Sequence, residues 1–296
     1  MPSARPHRPS RALPKRSPVS LRALAGSAAL GVALSGLFLT DAALDRAAAA
    51  SSTKAASAGW LGIAMEAAKG KPGVSVTHVI RTSPADKAGV LAGDRIVKVD
   101  GTAVSAPGDV SAPVAVKGPG KPVSLEIARG TATVTVSAVL ASRPPPDQIF
   151  RMEMIGQSVT SLPSLTLASG PGPTAYPALS GHVVVIDFFA TWCGPCAQLG
   201  PYYNAMQSKY GPQGLSILAI SDEDVAVLSG WSAKNGVGYT VASDPTDTAF
   251  TSFGAPALPS TLIVDKHGIV REVEVGFEVG QVKQVEALVQ ALLKEP

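Results

Sequence analysis

Cys193 and Cys196 are the two cysteines of the 296-residue chain, and they lie three positions apart. A secreted scaffold held together by disulfides needs more cysteines at wider spacing, so this pair is not a structural staple. A structural zinc site needs four ligands, and nearby only His182 and His267 could join the cysteines. Covalent haem attachment requires a histidine directly after the second cysteine, where Ala197 stands. The spacing therefore favours thiol–disulfide redox chemistry, and we predict neither a metal nor a cofactor.

The sequence around the cysteines predicts how they are presented. Residues 183–189 form a nearly continuous apolar run, as expected for a strand buried on both faces of a parallel sheet. A helix is predicted over 193–210, so the pair lies at a helix N-terminus, where unpaired N–H groups and a positive potential stabilise a thiolate. We expect Cys193 to be the exposed nucleophile. Cys196, one turn into the helix, is expected to be shielded and to resolve the mixed disulfide.

The strand and the cysteine motif together resemble thioredoxin, through the residues Phe188-Phe189-Ala190-Thr191-Trp192-Cys193-Gly194-Pro195-Cys196. The wider pattern over residues 155–296 looks like the exported TlpA/ResA-type thioredoxin-like reductases. Pro201 falls where that family kinks its first helix, and residues 222–224 stand where such proteins start an additional helical segment. The resemblance implies an α/β thioredoxin fold and dithiol–disulfide exchange with protein substrates.

Asp187 interrupts the apolar run, and a buried carboxylate is costly unless it is paired or protonated. The resemblance places it at the position of the buried acid of thioredoxin, below the cysteine pair. Burial would raise its pKa and allow it to take the proton of Cys196 when that sulfur attacks the mixed disulfide. The alternative is an aspartate at the edge of the strand that faces water.

Residues 258–265 resemble the cis-proline loop of the family and the strand that follows it. The resemblance implies that Pro259 is cis, lies opposite the two sulfurs and shapes the substrate groove. The backbone of Leu258 would then pair with a bound substrate strand. Pro256 is the rival cis position, but it lacks the following strand at the family's spacing. Trp192 is expected to be a contact and shielding residue rather than a catalytic one.

The Gly194-Pro195 dipeptide favours reduction, because strongly reducing thioredoxin, at about −270 mV, shares it. Such an enzyme must be recharged in an oxidising compartment, and the resemblance implies a membrane electron donor. An oxidase or an isomerase would use the same residues and differ only in potential. A peroxidase would need a threonine and an arginine around a single peroxidatic sulfur, an arrangement that this sequence does not show.

The first half of the chain resembles the PDZ domains of HtrA-type proteases over residues 58–141, through 59–63, 83–85, 88–89 and 90–101. Short apolar runs between glycine and proline turns predict a small, mostly β domain. Leu61, Gly62 and Ile63 match the family's carboxylate-binding loop. Converging N–H groups there would hold the C-terminus of a peptide, and the next strand would pair with the peptide.

The groove-lining helix of such a domain should fall near residues 109–117, where Pro107, Gly108, Pro113 and Pro119 crowd it. A proline inside a helix costs roughly 3 kcal/mol, so we expect this helix to be short or displaced. One alternative is a PDZ fold kept only as a spacer or dimer contact. Another, from a different functional class, is a recruiting module centred on the PDZ domain, with a secondary redox domain.

The N-terminus is distinct in charge and composition. Its first 22 residues carry six basic residues and no acid, namely Arg5, Arg8, Arg11, Lys15, Arg16 and Arg22. Without those six, 19 basic residues stand against 22 acidic ones, so the folded part is not expected to bind nucleic acid. The apolar run 23–40 and the small residues after it predict an export signal or a membrane anchor over 1–50. We therefore expect an exported protein, either periplasmic or anchored facing that side.

These segments give a four-part organisation. The predicted export signal or anchor occupies residues 1–50, and the PDZ-like domain occupies 58–141. A proline-rich linker is predicted over 142–154, and the thioredoxin-like domain over 155–296.

Overall fold

A computed structural model of the chain describes residues 57–296. The predicted export signal or anchor over 1–50 lies outside the described residues. Within 57–296, no helix combines the length and the apolar composition needed to cross a membrane.

The first domain is a small antiparallel β structure with two helices. Its elements are β1 (Gly59–Trp60), β2 (Ile63–Ala67), β3 (Val74–Val79), α1 (Pro84–Lys87), β4 (Arg95–Val99), β5 (Thr102–Ala103), α2 (Pro107–Lys117), β6 (Pro122–Arg129), β7 (Ala132–Val139) and β8 (Ala141–Ser142). The main sheet runs β2-β3-β4-β6-β7, with β5 on β4, while β1 pairs with β8. Alternating apolar residues of these strands, such as Ile96 and Leu125, are fully buried in one core.

The expectation that prolines would shorten or displace α2 is wrong, because the helix extends over eleven residues. Pro107 occupies the first helical position, where the missing N–H is not needed. The Asp109 carboxylate accepts hydrogen bonds from the backbone N–H groups of Ser105 and Ala106, at 2.8 and 2.9 Å, which caps the helix. Val110 and Val114 pack into the core. Pro113 removes one backbone hydrogen bond within the helix, and capping and burial offset this loss.

The segment 142–154 differs from the predicted linker, because most of it is helical. Helix α3 (Pro146–Met154) begins with proline at its first position, which suits a helix start. Phe150 of α3 is buried in the core of the second domain, and the Arg151 guanidinium contacts the carboxylates of Glu272 and Glu274. The helix is therefore packed on the second domain, and the prolines before it mark a helix start rather than an extended spacer.

The second domain has a central six-stranded sheet covered by helices. Its further elements are β9 (Thr166–Ser169), β10 (Val183–Phe188), α4 (Gly194–Tyr210), β11 (Leu215–Ser221), α5 (Val225–Asn235), β12 (Thr240–Ser243), α6 (Thr248–Phe253), β13 (Ser260–Val264), β14 (Val270–Val275) and α7 (Val279–Lys294), with short 3₁₀ turns at Tyr176–Leu179 and Gly211–Gln213. The strand order is β14-β13-β10-β11-β12-β9. Strands β10, β11 and β12 are parallel, and β9, β13 and β14 are antiparallel to their neighbours. This is the α/β thioredoxin-like fold that the sequence predicts.

Strand β10 lies in the middle of the sheet and is buried along its whole length. Successive side chains of a strand point to opposite faces. Val183 and Val185 accordingly pack with residues of α4 and α7, whereas Val184, Ile186 and Phe188 pack in the core on the other face. Asp187 points to the same face as Val183 and Val185, so its carboxyl group lies on the face that α4 covers.

Candidate active site

The two cysteines lie at the start of α4 and are joined by a disulfide bond. Cys193 is the N-cap residue of this helix, and its Sγ accepts a hydrogen bond from the backbone N–H of Cys196 at 3.2 Å. A helix N-terminus favours negative charge, and the N–H group would stabilise a thiolate at the same sulfur once the disulfide is opened. The geometry thus distinguishes Cys193 as the sulfur that lies at the helix N-terminus and accepts this N–H group.

The expected difference in exposure between the two cysteines is absent in this disulfide form. Cys193 is 6% exposed and Cys196 is 5% exposed. The neighbouring Trp192, by contrast, is 76% exposed. Both cysteine side chains are buried to the same extent when they are joined. What distinguishes the two sulfurs is therefore the position of Cys193 at the helix N-terminus and the hydrogen bond that its sulfur accepts.

The peptide bond between Leu258 and Pro259 is cis, and the rival Pro256 does not carry the cis bond. Leu258 packs against both cores of the domain and lines a cavity of about 150 Å³ together with Trp192. Phe189, Ile220, Asp222, Asp247 and Phe250 also line this cavity. The structure thus brings Trp192 and Leu258, which the sequence predicted as substrate contacts, to one cavity whose wall contains both apolar and acidic residues.

Asp187 is buried, with 3% of its surface exposed, so the alternative of a water-facing aspartate is wrong. Its Oδ1 accepts hydrogen bonds from Thr261 Oγ1 at 2.8 Å and from the Tyr203 hydroxyl at 3.2 Å. Burial raises the pKa of this carboxyl group to about 7, against the opposing effect of the two hydrogen bonds. A group with this pKa can both accept and release a proton near neutral pH, which suits an acid–base residue.

Glu223 is a residue of the site that the sequence did not single out. Its carboxylate accepts hydrogen bonds from the Thr191 backbone N–H at 2.7 Å, the Thr191 hydroxyl at 2.5 Å and the Ser221 hydroxyl at 3.0 Å. Thr191 directly precedes the Trp192–Cys193 pair, so Glu223 fixes the loop that leads into the cysteines. The acidic run 222–224 could have indicated Glu223 as a functional residue, but only the fold places this residue against the loop.

The first domain contains a second candidate site around the predicted carboxylate-binding loop. Gly62 has a φ of +83°, and a Cβ on it would lie 2.3 Å from Ser83 Cβ, so both backbone conformation and space require glycine. The carbonyl of Leu61 accepts a hydrogen bond from Ala85 N–H, and that of Gly62 accepts one from Ile80 N–H, at 2.9 Å each. These bonds hold the loop against the domain.

A cavity of about 490 Å³ lies next to this loop. It is lined by Leu61, Gly62, Ile63 and β2 on one side and by Val110 and Val114 of α2 on the other. The three predicted loop residues and the groove helix therefore meet at one apolar groove, whose size suits a peptide end.

Helix α3 also contacts the first domain. The Glu153 carboxylate lies 2.8 Å from His78 Nε2 and accepts a hydrogen bond from the Arg81 backbone N–H at 3.2 Å. The Arg81 guanidinium donates to the Ile155 carbonyl at 2.7 Å. Since α3 is itself anchored in the second domain through Phe150, it connects the two domains by side-chain contacts.

Each of the two domains matches a protein-family model. Residues 160–273 match the AhpC/TSA family, and residues 59–140 match the PDZ domain. The chain is 31% identical over 97 residues to the thiol-disulfide oxidoreductase ResA of Geobacillus thermodenitrificans. That match covers 32% of this chain and 56% of the relative, so the chain spans about half the length of the curated relatives it matches.

Two solved structures give similar matches. A putative thiol:disulfide interchange protein DsbE from Chlorobium tepidum is 31% identical, with 45% of this chain and 99% of that chain covered and a TM-score of 0.39. The HtrA-type protease AlgW with a decapeptide is 30% identical, with 30% of this chain and 31% of that chain covered and a TM-score of 0.29. Both TM-scores are low, and the thioredoxin-like fold follows from the strand order of the second domain.

Proposed function

We propose that this chain, which joins a thioredoxin-like domain of the AhpC/TSA family to a PDZ domain, is an exported thiol–disulfide oxidoreductase that reduces disulfides of protein substrates. The observation that carries the proposal is the Cys193–Cys196 disulfide at the N-terminus of α4. The buried Asp187 on the preceding strand supports it.

The proposed reaction has two thiol–disulfide exchanges. The Cys193 thiolate attacks a substrate disulfide, forms a mixed disulfide and releases the first substrate sulfur as a thiolate. Asp187 then takes the proton of the Cys196 thiol, and the Cys196 thiolate attacks Cys193 Sγ. The second substrate sulfur leaves, so that the substrate gains two electrons and the enzyme holds the disulfide. A dithiol donor must then reduce the enzyme again, and we propose a membrane donor for that role.

Reduction of insulin by dithiothreitol-charged protein tests the assignment of the two sulfurs. Cys193→Ser should abolish the reaction, whereas Cys196→Ser should accumulate mixed disulfides, because attack remains and resolution is lost. Gln198→Ser is the matched control, since it places a serine on the exposed side of the same helix turn. Faster alkylation of Cys196 than of Cys193 at limiting reagent would reverse the assignment.

The direction of the reaction is tested by the reduction potential of the cysteine pair. A value of about −270 mV against a glutathione buffer would support a reductase, and a value of about −120 mV would support an oxidase. Consumption of hydrogen peroxide at a rate above that of insulin reduction would instead favour a peroxidase.

We further propose that the PDZ domain recruits substrates by their C-termini, and the groove between Gly62 and Val114 supports this role. Tethering would convert a second-order encounter into an intramolecular one, at roughly millimolar effective concentration for a short connection. A disulfide-containing peptide with an apolar C-terminal residue should be reduced faster by the full chain than its C-terminal amide. Equal rates would contradict recruitment. Peptide binding that survives loss of both cysteines, with no effect on reduction, would favour the separate recruiting module.

The proposed location rests on the basic and apolar segments within residues 1–50. Fusion of alkaline phosphatase after this segment should give phosphatase activity in intact cells, because that reporter folds only after export. An inactive fusion would contradict an extracytoplasmic location.

A further inference from the structure

A row of polar side chains crosses the second domain from the buried acid to the edge of its sheet. Asp187 on β10 pairs with Thr261 on β13, and Thr261 pairs with Glu274 on β14. Directly opposed residues on antiparallel strands share one face of the sheet. Strand β14 is an edge strand of the sheet. Three polar groups therefore occupy consecutive positions across one face of the sheet, from its middle to this edge.

The hydroxyl groups in this row are connected to one another. Thr261 Oγ1 lies 2.8 Å from Asp187 Oδ1 and 3.0 Å from the hydroxyl oxygen of Tyr203, which comes from α4. A hydroxyl group can donate one hydrogen bond while it accepts others. Thr261 can therefore receive a proton from one side and release its own on the other.

A small cavity continues from these hydroxyls toward the edge of the sheet. It has a volume of about 20 Å³ and is lined by Tyr203, Thr261 and Glu274, among others. Apolar side chains form most of its wall, but Tyr203, Thr261 and Glu274 provide the polar partners that one water molecule needs in a cavity of this size. The Glu274 carboxylate is buried and is held by the Arg151 guanidinium at 2.7 Å. Burial raises the pKa of Glu274, against the opposing charge of Arg151.

We propose that Thr261, Tyr203 and Glu274 form the path by which protons pass between Asp187 and solvent. The inference rests on the proposed redox function, in which Asp187 takes the proton of Cys196. That proton passes to Thr261 Oγ1 as the hydroxyl releases its own proton toward Tyr203 or a water in the cavity. A water in the cavity carries the proton from these hydroxyls to Glu274, which gives it to bulk water at the sheet edge. The path transfers one proton and no electrons, and each hydroxyl ends as it began.

The need for a path follows from the burial of Asp187. With 3% of its surface exposed, its carboxyl group has little direct access to water. The ionisable side chains that influence it are Tyr203 on α4 and Tyr239, whose ring packs edge-on against Tyr203 at 5.7 Å between centroids. Burial raises the pKa of both tyrosines, so neither supplies a charge near neutral pH. Glu274 is the carboxylate that the polar row connects to Asp187.

The test measures how fast Asp187 exchanges its proton in the full-length oxidised protein. A light-triggered pH jump from a caged proton is followed by time-resolved infrared spectroscopy at the carboxyl C=O band of Asp187. That band is assigned by its loss in Asp187→Asn. The variants are Thr261→Val, which removes the hydroxyl, and Glu274→Gln, which keeps the shape of the terminal group but not its charge.

Both variants should slow protonation of Asp187 by about a hundredfold or more, the lower end of what positioned proton transfer contributes. Thr261→Val should also raise the pKa of Asp187, because the threonine hydrogen bond lowers it. Glu274→Gln does not touch Asp187 and should leave its titration midpoint in place, so a slower rate there reports the path itself. Thr261→Ser should restore the rate, since it restores the hydroxyl.

Thr240→Val is the matched control, because Thr240 is a buried threonine of β12 whose hydroxyl accepts a hydrogen bond from Gly172 N–H at 2.8 Å. It should protonate Asp187 at the rate of the unmodified protein. A wild-type rate in both Thr261→Val and Glu274→Gln, or equal slowing in Thr240→Val, would overturn the path. The insulin assay is scored separately, so loss of the path leaves the proposed reductase activity standing, and absence of reductase activity leaves the infrared result interpretable.

Discussion

The Asp187→Asn substitution removes a buried ionisable group while it keeps the size of the side chain and an oxygen that can accept the bonds from Thr261 and Tyr203. In the folded protein the pKa of Asp187 is raised by burial from 3.8 to about 7. The folded state therefore binds the proton more tightly than the unfolded chain between these pH values. Its free energy of unfolding must fall as pH rises through that window.

The size of the effect follows from the two pKa values. A difference of about three units, at about 1.36 kcal/mol per unit, is on the order of 4 kcal/mol. Below pH 4 the carboxyl group is protonated in both states, so the aspartate and asparagine proteins should differ little in pH dependence. Above pH 7 the cost of ionising the buried group is fully present in the unmodified protein and absent from Asp187→Asn. The variant should therefore gain about 4 kcal/mol relative to the unmodified protein between pH 4 and pH 8.

The assay is urea unfolding of the oxidised full chain at several pH values. Trp231 reports on this domain, because its ring packs against Phe189 at 5.2 Å between centroids. Asp265→Asn is the control with the opposite sign. Burial would raise the pKa of Asp265, but hydrogen bonds from the Ile269 and His267 amides and from Arg271 lower it below its usual value. Its contribution to stability is present at neutral pH and is lost as pH falls, so Asp265→Asn should destabilise the protein more at pH 8 than at pH 3.

A difference in stability between Asp187→Asn and the unmodified protein that stays constant from pH 4 to pH 8 would refute the reasoning. It would mean that Asp187 ionises with an ordinary pKa. The same variant should also slow the resolution step near neutral pH, with a deficit that shrinks as pH rises and hydroxide removes the proton of the thiol. An unchanged pH–rate profile would contradict its role as the proton acceptor.

Three further predictions concern the loop, the groove and the domain contact. Glu223→Gln should destabilise the protein by about 1–3 kcal/mol and speed amide hydrogen exchange at Thr191, because an acceptor of the loop is lost; unchanged exchange would contradict this. Gly62→Ala should weaken binding of a fluorescent C-terminal peptide, since its Cβ would lie 2.3 Å from Ser83 Cβ; unaltered affinity would show that the loop does not hold the peptide. Glu153→Gln should increase independent tumbling of the two domains in NMR relaxation, because it weakens the contacts of the Glu153 carboxylate with His78 and the Arg81 backbone; equal correlation times before and after would contradict that role.

The proposed redox chemistry was accessible from the sequence because its determinants are local. Two cysteines three apart, at the end of an apolar run and the start of a helix, depend on one strand, one loop and one helical turn. The apolar run 183–189 and the helix predicted over 193–210 also agree with β10 and α4 to within one residue at each end, because strand and helix patterns repeat over a few residues. The cis bond at Pro259 came instead from the family resemblance, as did the expectation that Asp187 is a functional acid.

Predictions from the local sequence were wrong where packing against distant parts of the chain overrides the helix propensity of a segment. Prolines predicted a short or displaced α2 and a proline-rich linker before the second domain. Burial of Val110 and of Phe150 stabilises a helix in each place. Such burial cannot be read from neighbouring residues, because the surface that receives each side chain belongs to strands elsewhere in the chain.

The contacts that tune the site were decided by tertiary structure alone. Asp187 meets Thr261 across 74 residues of sequence, and Thr191 meets Glu223 across 32. Such contacts depend on the order and register of the strands in the sheet, and a one-residue shift in register would turn Thr261 to the opposite face. The sequence determined which residues could carry the chemistry. The sheet determined which hydroxyls and carboxylates surround them, because strand pairing brings together segments that are distant in sequence, and neither segment's sequence specifies the other.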